Sequence, residues 1–272
     1  MAVSSPMPAH NRKPKSSSSG GGSSSSSLPY TNASADSALT STLTPQLYLQ
    51  RMTDLQQMDL QSAIDQMRIL LTLYPQRVYK MAYYRKQTKN HWARDDPAFC
   101  FLQIVMIAAV SIAYGFAFRV GSFLDIIAVV TKSVLVNWLG FGVIIASVGR
   151  LIANNHLMMA ERSSSHVKQE VEWLYAFDVH CNAFVPLFVL LYGVQLFLLP
   201  VVLGPSLLSL GVSNTLFAMA FGWYFYITHL GYRALPFLSN TKYFYSLLRL
   251  YWDFMFSTMS AILLGLVSMH LE

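Results

Sequence analysis

Apolar and polar positions divide the chain into three regimes. The first 44 residues hold no apolar run of the length a helix or strand core needs. Residues 45–97 carry apolar positions at helical spacing among many charges. From Ala98 onward, long uncharged stretches alternate with short polar ones. Ala98 to Phe118 has no charged residue in 21 positions. At about 1.5 Å of rise per residue, that length reaches roughly 30 Å, the thickness of a bilayer's hydrocarbon core. Comparable stretches recur at 124–148, 182–203, 207–230 and 250–270. The pattern predicts an all-α, polytopic membrane protein with five transmembrane helices.

Within the second stretch Lys132 interrupts the apolar run, and a lysine at mid-bilayer costs about 2.5–3.5 kcal/mol. Two arrangements relieve this. Either the hydrocarbon portion begins near Ser133, with Lys132 snorkelling to the interface and 120–131 a helical extension, or Lys132 pairs with Asp125 two turns away. The first is preferred, because Ser133 to Gly149 is uncharged and Arg150 closes it. The third stretch places Pro186 in its first turn, where proline is tolerated. Small residues recur every four positions at Ala109, Ala113 and Ala117, at Ser111 and Gly115, at Ala218 and Gly222, and at Ser257, Ala261 and Gly265. Each set predicts a face that a neighbouring helix approaches closely.

Ahead of the spans, Leu60, Ile64, Met67, Leu71 and Tyr74 form one helical stripe, with Gln, Asp and Arg on the opposite face. Pro75 opens a second helix, in which Val78, Tyr79, Ala82 and Tyr83 lie on a face flanked by cations. Such a helix is expected to lie in the membrane interface. Asp95-Asp96-Pro97 breaks it and caps the first span. Residues 1–44, with nine serines around Gly20–Gly22 between Ser16 and Ser27, read as a disordered cytosolic tail.

Composition agrees with a membrane protein: 12% of residues are charged, against about 25% in soluble domains. The placement of the net charge of +6 is more informative than its size. Lysine and arginine number seven in 68–97, three in 149–181 and three in 231–249, against one in 119–123, so alternate segments hold 13 and 1. That asymmetry orients the N-terminus to the cytosol and, with five spans, the C-terminus to the lumen. No apolar run suited to a cleavable signal precedes the spans, so the first is expected to act as its own anchor. Cys100 and Cys181 form no disulfide framework.

No nucleotide, zinc-hydrolase or nucleophile-elbow motif occurs. Polar groups inside the spans are few: Gln103, Asn137, Gln195, Asn214 and Thr215 read as interhelical hydrogen-bonding groups. An ion-coupled carrier needs more ionisable groups at mid-depth. No catalytic, cofactor-binding or metal-binding residue is assigned. The densest polar cluster is Glu172, Trp173, Asp178, His180 and Asn182, at the cytosolic mouth of the third span, where His180 is a candidate base or ligand and capping is the simpler reading. A small-molecule carrier or intramembrane enzyme at this mouth remains the alternative. Arg233 faces the same side. Together with Arg77, Lys80, Arg85, Lys86, Lys89, Trp92 and Arg94 these residues predict one cytosolic surface for membrane or partner binding. Its interleaved aromatics and cations suit an anionic lipid surface first, a protein partner second and RNA third.

The stretches PQRVYK, YRKQTK and WARDDPAF within Pro75–Phe99, EWLYAFDVHCNAF over Glu172–Phe184, and SNTLF and ALPFL within Ser213–Leu238 closely resemble the UNC-fifty family of eukaryotic Golgi membrane proteins. The resemblance spans roughly residues 55–270. It implies five spans, a cytosolic N-terminus and Golgi residence. It further implies a role in vesicle-mediated protein transport through a large Arf guanine-nucleotide exchange factor, and in surface delivery of membrane-protein clients. Animal members are also described as RNA-binding. No catalytic residue or cofactor follows from the resemblance, and the serine-rich tail departs from the family pattern. With this orientation, protease added outside sealed Golgi vesicles is expected to remove an N-terminal epitope and spare a C-terminal one, read by immunoblot.

Overall fold

The computed structural model describes residues 58–159 and 169–239, with isolated positions at 241, 246, 249 and 253. The tail 1–44, residues 45–57 and, apart from Asp253, the expected fifth span 250–270 lie outside the described residues.

Among the described residues all regular structure is helical. α1 runs Leu60–Leu70 and α2 Gln76–Lys89; α3 is Ala98–Ala117, the first helix of membrane-spanning length. α4 is one continuous helix, Phe123–His156, with a π-helical section over Ser133–Gly140. α5 is Trp173–Phe197, π-helical over Val189–Val194. A short α6, Leu199–Val202, leads to α7, Leu207–Arg233. Among the described residues, four helices, α3, α4, α5 and α7, are therefore long and apolar enough to cross a membrane.

Local chemistry sets the boundaries. Asp59 caps α1, its Oδ1 accepting from the Ser62 amide at 2.9 Å. Pro75 and Pro97 precede α2 and α3, with φ fixed near the helical value at −64° and −76°. α2 stops at Asn90, which takes a left-handed φ of 59°, while the Lys86 ammonium reaches the Asn90 carbonyl at 2.7 Å. α3 stops at Arg119, φ 53°, and the Val120 amide returns to the Gly115 carbonyl at 2.9 Å. Ser122 and Ser206 cap α4 and α7 through their hydroxyls.

Four expectations change. The inward face of α1 is Ala63, Gln66, Met67 and Leu70, whereas Leu60, Ile64, Leu71 and Tyr74 are exposed. A buried partner for Gln66 rotates the helix by about one position. The apolar face of α2, Val78, Tyr79 and Ala82, is taken by protein rather than by the bilayer, with the Tyr79 hydroxyl donating to the Ile227 carbonyl of α7 at 3.0 Å. The third spanning helix starts at Trp173, not Asn182, and Pro186 sits inside it. Proline has no N–H, so the Asn182 carbonyl loses its helical donor, and the π-helical section follows three residues later. In α3 the expected Ser111 and Gly115 face is buried, continued by Gln103 and Ile107, whereas Ala109 and Ala117 of the other expected set face outward. The same shift applies to α7, whose buried stripe runs through Leu216, Ala220, Tyr224, Ile227 and Gly231 rather than Ala218 and Gly222.

α4, at 34 residues, spans about 51 Å, well beyond the roughly 30 Å of a hydrocarbon core. The surplus is long enough for Lys132 to lie outside an apolar layer of that thickness. Lys132 is exposed, and among the described residues no ion pair joins it to Asp125.

α5 is central. Every residue from Tyr175 to Phe188 is buried, between α4 and α7 and against α1. Side chains bridge the helices where apolar packing alone would leave polar groups unmet. Gln103 of α3 donates to the Cys181 carbonyl at 2.7 Å and accepts from the Trp138 indole of α4 at 3.1 Å. Trp173 donates to Ser147 at 3.1 Å, and Asn137 to the Tyr192 hydroxyl at 3.4 Å. Beyond the helices, the segments after α4 and α7 pair in a single antiparallel bridge, Met158 with Leu238.

Close approach to α5 depends on glycine. A Cβ at Gly231 would lie 2.7 Å from Val179 Cγ2, whereas one at Gly193 meets nothing within 4 Å. Gly231→Ala is therefore expected to destabilise by about 1–3 kcal/mol and Gly193→Ala to change stability by less than about 0.5 kcal/mol, compared by thermal unfolding in detergent micelles.

Candidate functional site

The loop between α2 and α3, His91 to Pro97, turns back over the head of the spans. Its backbone is held by two carboxylates of α5. Glu172 accepts from the Trp92 amide at 3.1 Å and the Ala93 amide at 3.3 Å, and Asp178 Oδ2 accepts from the Arg94 amide at 2.6 Å. A loop in this position has no helical partners for these donors, so side-chain acceptors must supply them. Charged acceptors make the stronger bonds.

Arg94 itself points inward and is only 6% exposed. Its Nε and Nη2 donate to Gln66 Oε1 at 3.1 and 2.9 Å, and Nη2 also donates to Asn182 Oδ1 at 2.5 Å. The guanidinium lies over the Phe99 ring at 4.0 Å. Nη1 approaches Asp178 Oδ1 at 3.7 Å, an ion pair beyond hydrogen-bond reach, and Nη1 has no hydrogen-bond partner. One cation thus ties α1, α3 and α5 together. Asp178 and Asn182 lie one turn apart on α5, so both reach the same group.

Around Trp92 a second, aromatic set forms. Its ring packs with Tyr83, Tyr175 and Phe237, centroids 6.1–6.4 Å apart, and Lys86 Nζ stands 6.0 Å from the Trp92 ring. Arg85 Nη2 donates to the Trp92 carbonyl at 3.2 Å. Burial lowers the Arg85 guanidinium from its ordinary value, and burial raises the Tyr79 phenol.

The surface expected from the sequence therefore divides. Trp92, Arg94, Asp178 and His180 are buried and present no surface. Arg85 and Lys86 are half-buried and serve the Trp92 loop. Arg77, Lys80, Lys89 and Arg233 remain exposed, Lys89 in an ion pair with Asp95. Charge sign alone puts the cations in one class, and only the fold separates those that pair internally from those that stay exposed. The apolar stripe of α1 puts its Gln residues on the outer face, and no local pattern marks Gln66 as Arg94's acceptor.

Asp178 and His180 do not converge. His180, 1% exposed, meets the Tyr224 hydroxyl of α7 through Nδ1 at 2.8 Å, among Phe177 and Phe184. A Cβ at Gly142 would lie 2.6 Å from the His180 ring, so α4 comes close there. The adjoining cavity, about 80 Å³, is lined by Ile145, Val148, Ile152 and Phe225 together with His180, Tyr224, Thr228 and Tyr232. Among the described residues no group of three or more His, Cys, Asp or Glu side chains is arranged to hold a metal. Cys100 and Cys181, apart in sequence, face each other across α3 and α5 with sulfurs 3.7 Å apart.

A bundle of membrane-length helices, joined at one end by a buried ionic hub, defines a polytopic α-helical membrane protein. The chain belongs to the UNC-50 family, whose model matches residues 48–270. Relatives named "Protein unc-50 homolog" include one from Dictyostelium discoideum, 45% identical over 197 residues, covering 72% of this chain and 75% of the relative. One from Homo sapiens is 44% identical over 195 residues (71% and 73%), and one from Danio rerio 41% over 197 residues (71% and 74%). No solved structure matches the chain.

Removing one partner of a buried pair strands the other charge, at about 3–5 kcal/mol. Asp178→Leu is expected to lose that much stability and Arg94→Met with Asp178→Leu distinctly less, read as thermal unfolding of detergent-solubilised protein.

Proposed function

We propose that the chain is a multi-pass Golgi membrane protein that supports vesicle-mediated protein transport without catalysing a reaction. Its cytosolic face serves as a platform for a large Arf guanine-nucleotide exchange factor and aids surface delivery of membrane-protein clients. Family membership supports the reading. The observation that carries it is the set of exposed cations that neither the Arg94 hub nor the Trp92 loop uses. Arg77 and Lys80 stand exposed on α2 beside exposed Met81, Tyr83 and Tyr84, and Arg233 stands exposed at the end of α7. Positive-inside counting supports a cytosolic side for these helix ends. Exposed cations among aromatics suit an acidic protein surface and set its on-rate and orientation.

RNA is the runner-up partner. Tyr83 and Tyr84 offer stacking faces on the same helix as Lys80, and salt-dependent crosslinking in cells separates this reading from the first.

Arg77→Glu with Lys80→Glu reverses two exposed cations without touching the Arg94 hub. Co-purification of the exchange factor is expected to fall about fivefold or more, while membrane insertion and Golgi fractionation stay as in the parent. Unchanged co-purification counts against the platform.

A further inference from the structure

α4 runs antiparallel to α3, and two contacts fix their register. Gln103 of α3 accepts from the Trp138 indole of α4 at 3.1 Å, and a Cβ at Gly115 would lie 3.3 Å from Ile126 Cγ1. The two contacts stand twelve residues apart along both helices, so one register holds between them and sets Lys132 beside Ala109. α5 gives the same height. Gly142 lies against the His180 ring and Ser147 against the Trp173 indole, which puts Lys132 level with Val189. Ala109 is eight residues from the end of α3 at Ala117, and Val189 is eight residues from the end of α5 at Phe197. Eight residues rise about 12 Å, and the 20 residues of α3 rise about 30 Å, one hydrocarbon core. Length alone leaves room for Lys132 outside that layer; the register does not. Its four-carbon stem covers only about half the distance to the nearer edge.

An ionisable residue at this depth is costly and is met by an opposite charge when it persists. Lys132 is exposed on the outer face of α4, among Ala128, Leu135, Val136 and Leu139. Among the described residues no ion pair reaches it. No acid of the chain answers it from the spans. Asp125 does not pair with it, and the register sets Asp125 beside Phe116, at the edge of the layer. Asp178 is committed to Arg94. α7 holds no Asp or Glu, and the stretch 250–270 holds only Asp253, near its beginning. Symmetry argues against a second copy on this face. A twofold axis along the bilayer normal brings equal depths together, so each Lys132 would meet the other.

We propose that the outer face of α4 docks a transmembrane helix of another membrane protein, one that carries a carboxylate at mid-depth, with Lys132 as the counter-ion. The site lies within the spans and does not rest on the Arg77 and Lys80 surface.

The test reconstitutes the full chain in phosphatidylcholine liposomes with a benzoylphenylalanine photocrosslinker in place of Val136, one turn from Lys132 and 59% exposed. The probes are biotinylated alanine–leucine helices of about 21 residues, long enough to span, with aspartate, glutamine or leucine at the centre. After illumination, the aspartate helix is expected to give about fivefold or more adduct than the leucine helix. Lys132→Met is expected to bring it down to the leucine level, and Lys132→Arg to retain it. Moving the aspartate seven residues toward either end of the probe is expected to abolish the advantage. Equal adducts from aspartate and leucine helices overturn the proposal, as does an advantage that survives Lys132→Met. Equal capture of aspartate and glutamine helices overturns the ion pair. Adducts between two copies of the chain in place of probe adducts assign the face to self-association and overturn it too.

Discussion

The structure depends on a cation that is not allowed to reach water. Arg94 sits at the head of α3, and its guanidinium, its backbone and its neighbours are claimed by Gln66, Asp178, Asn182 and Glu172. Removing a charge from water is costly, and only good geometry with further hydrogen bonds makes it tolerable. The fold supplies both. In return, the loop that carries Arg94 fixes where α1, α2 and α3 stand relative to α5. A hydrophobic contact at this point would tolerate sliding or rotation. A guanidinium shared between Gln66 of α1 and Asn182 of α5, with Asp178 paired beside it, does not.

Deeper in the bundle the same logic operates with neutral groups. Lipid and leucine are equally apolar, so helices inside a bilayer associate through packing and hydrogen bonds rather than through exclusion of water. Gln103 answers this by meeting α5 with its amide and α4 with its carbonyl. Gly142 and Gly231 answer it by leaving room for His180 and Val179. α5 collects all of these contacts and has almost no outward surface between Tyr175 and Phe188.

The helical class and the membrane character were legible in the sequence, because a span is a long-window property that side-chain detail cannot disturb. Faces were less legible. Ala109 and Ala117 lie at the right spacing to pack and yet face outward, since a four-residue period exists on two sides of α3 and composition cannot say which side meets a neighbour. The start of α5 was missed for a different reason. Asp178 and His180 read as a polar connector when taken alone, and become interior only because Arg94 and Tyr224 arrive from elsewhere in the chain. The expected cytosolic surface failed at Trp92 and Arg94 on the same ground. Charge sign is written in the sequence, but its partner 84 residues away is not.

That separation carries a consequence for biosynthesis. α5 bears an ionisable Asp178 and a polar Asn182 near its beginning, and such groups penalise entry into a bilayer. The ribosome makes Arg94 first. When the codon for Asp178 is read, the residue that neutralises it has already emerged with the preceding spans. Chain order thus makes the donor for Asp178 before the acid itself, so that α5 can join the earlier spans as a partner in an assembly rather than as a solitary rod.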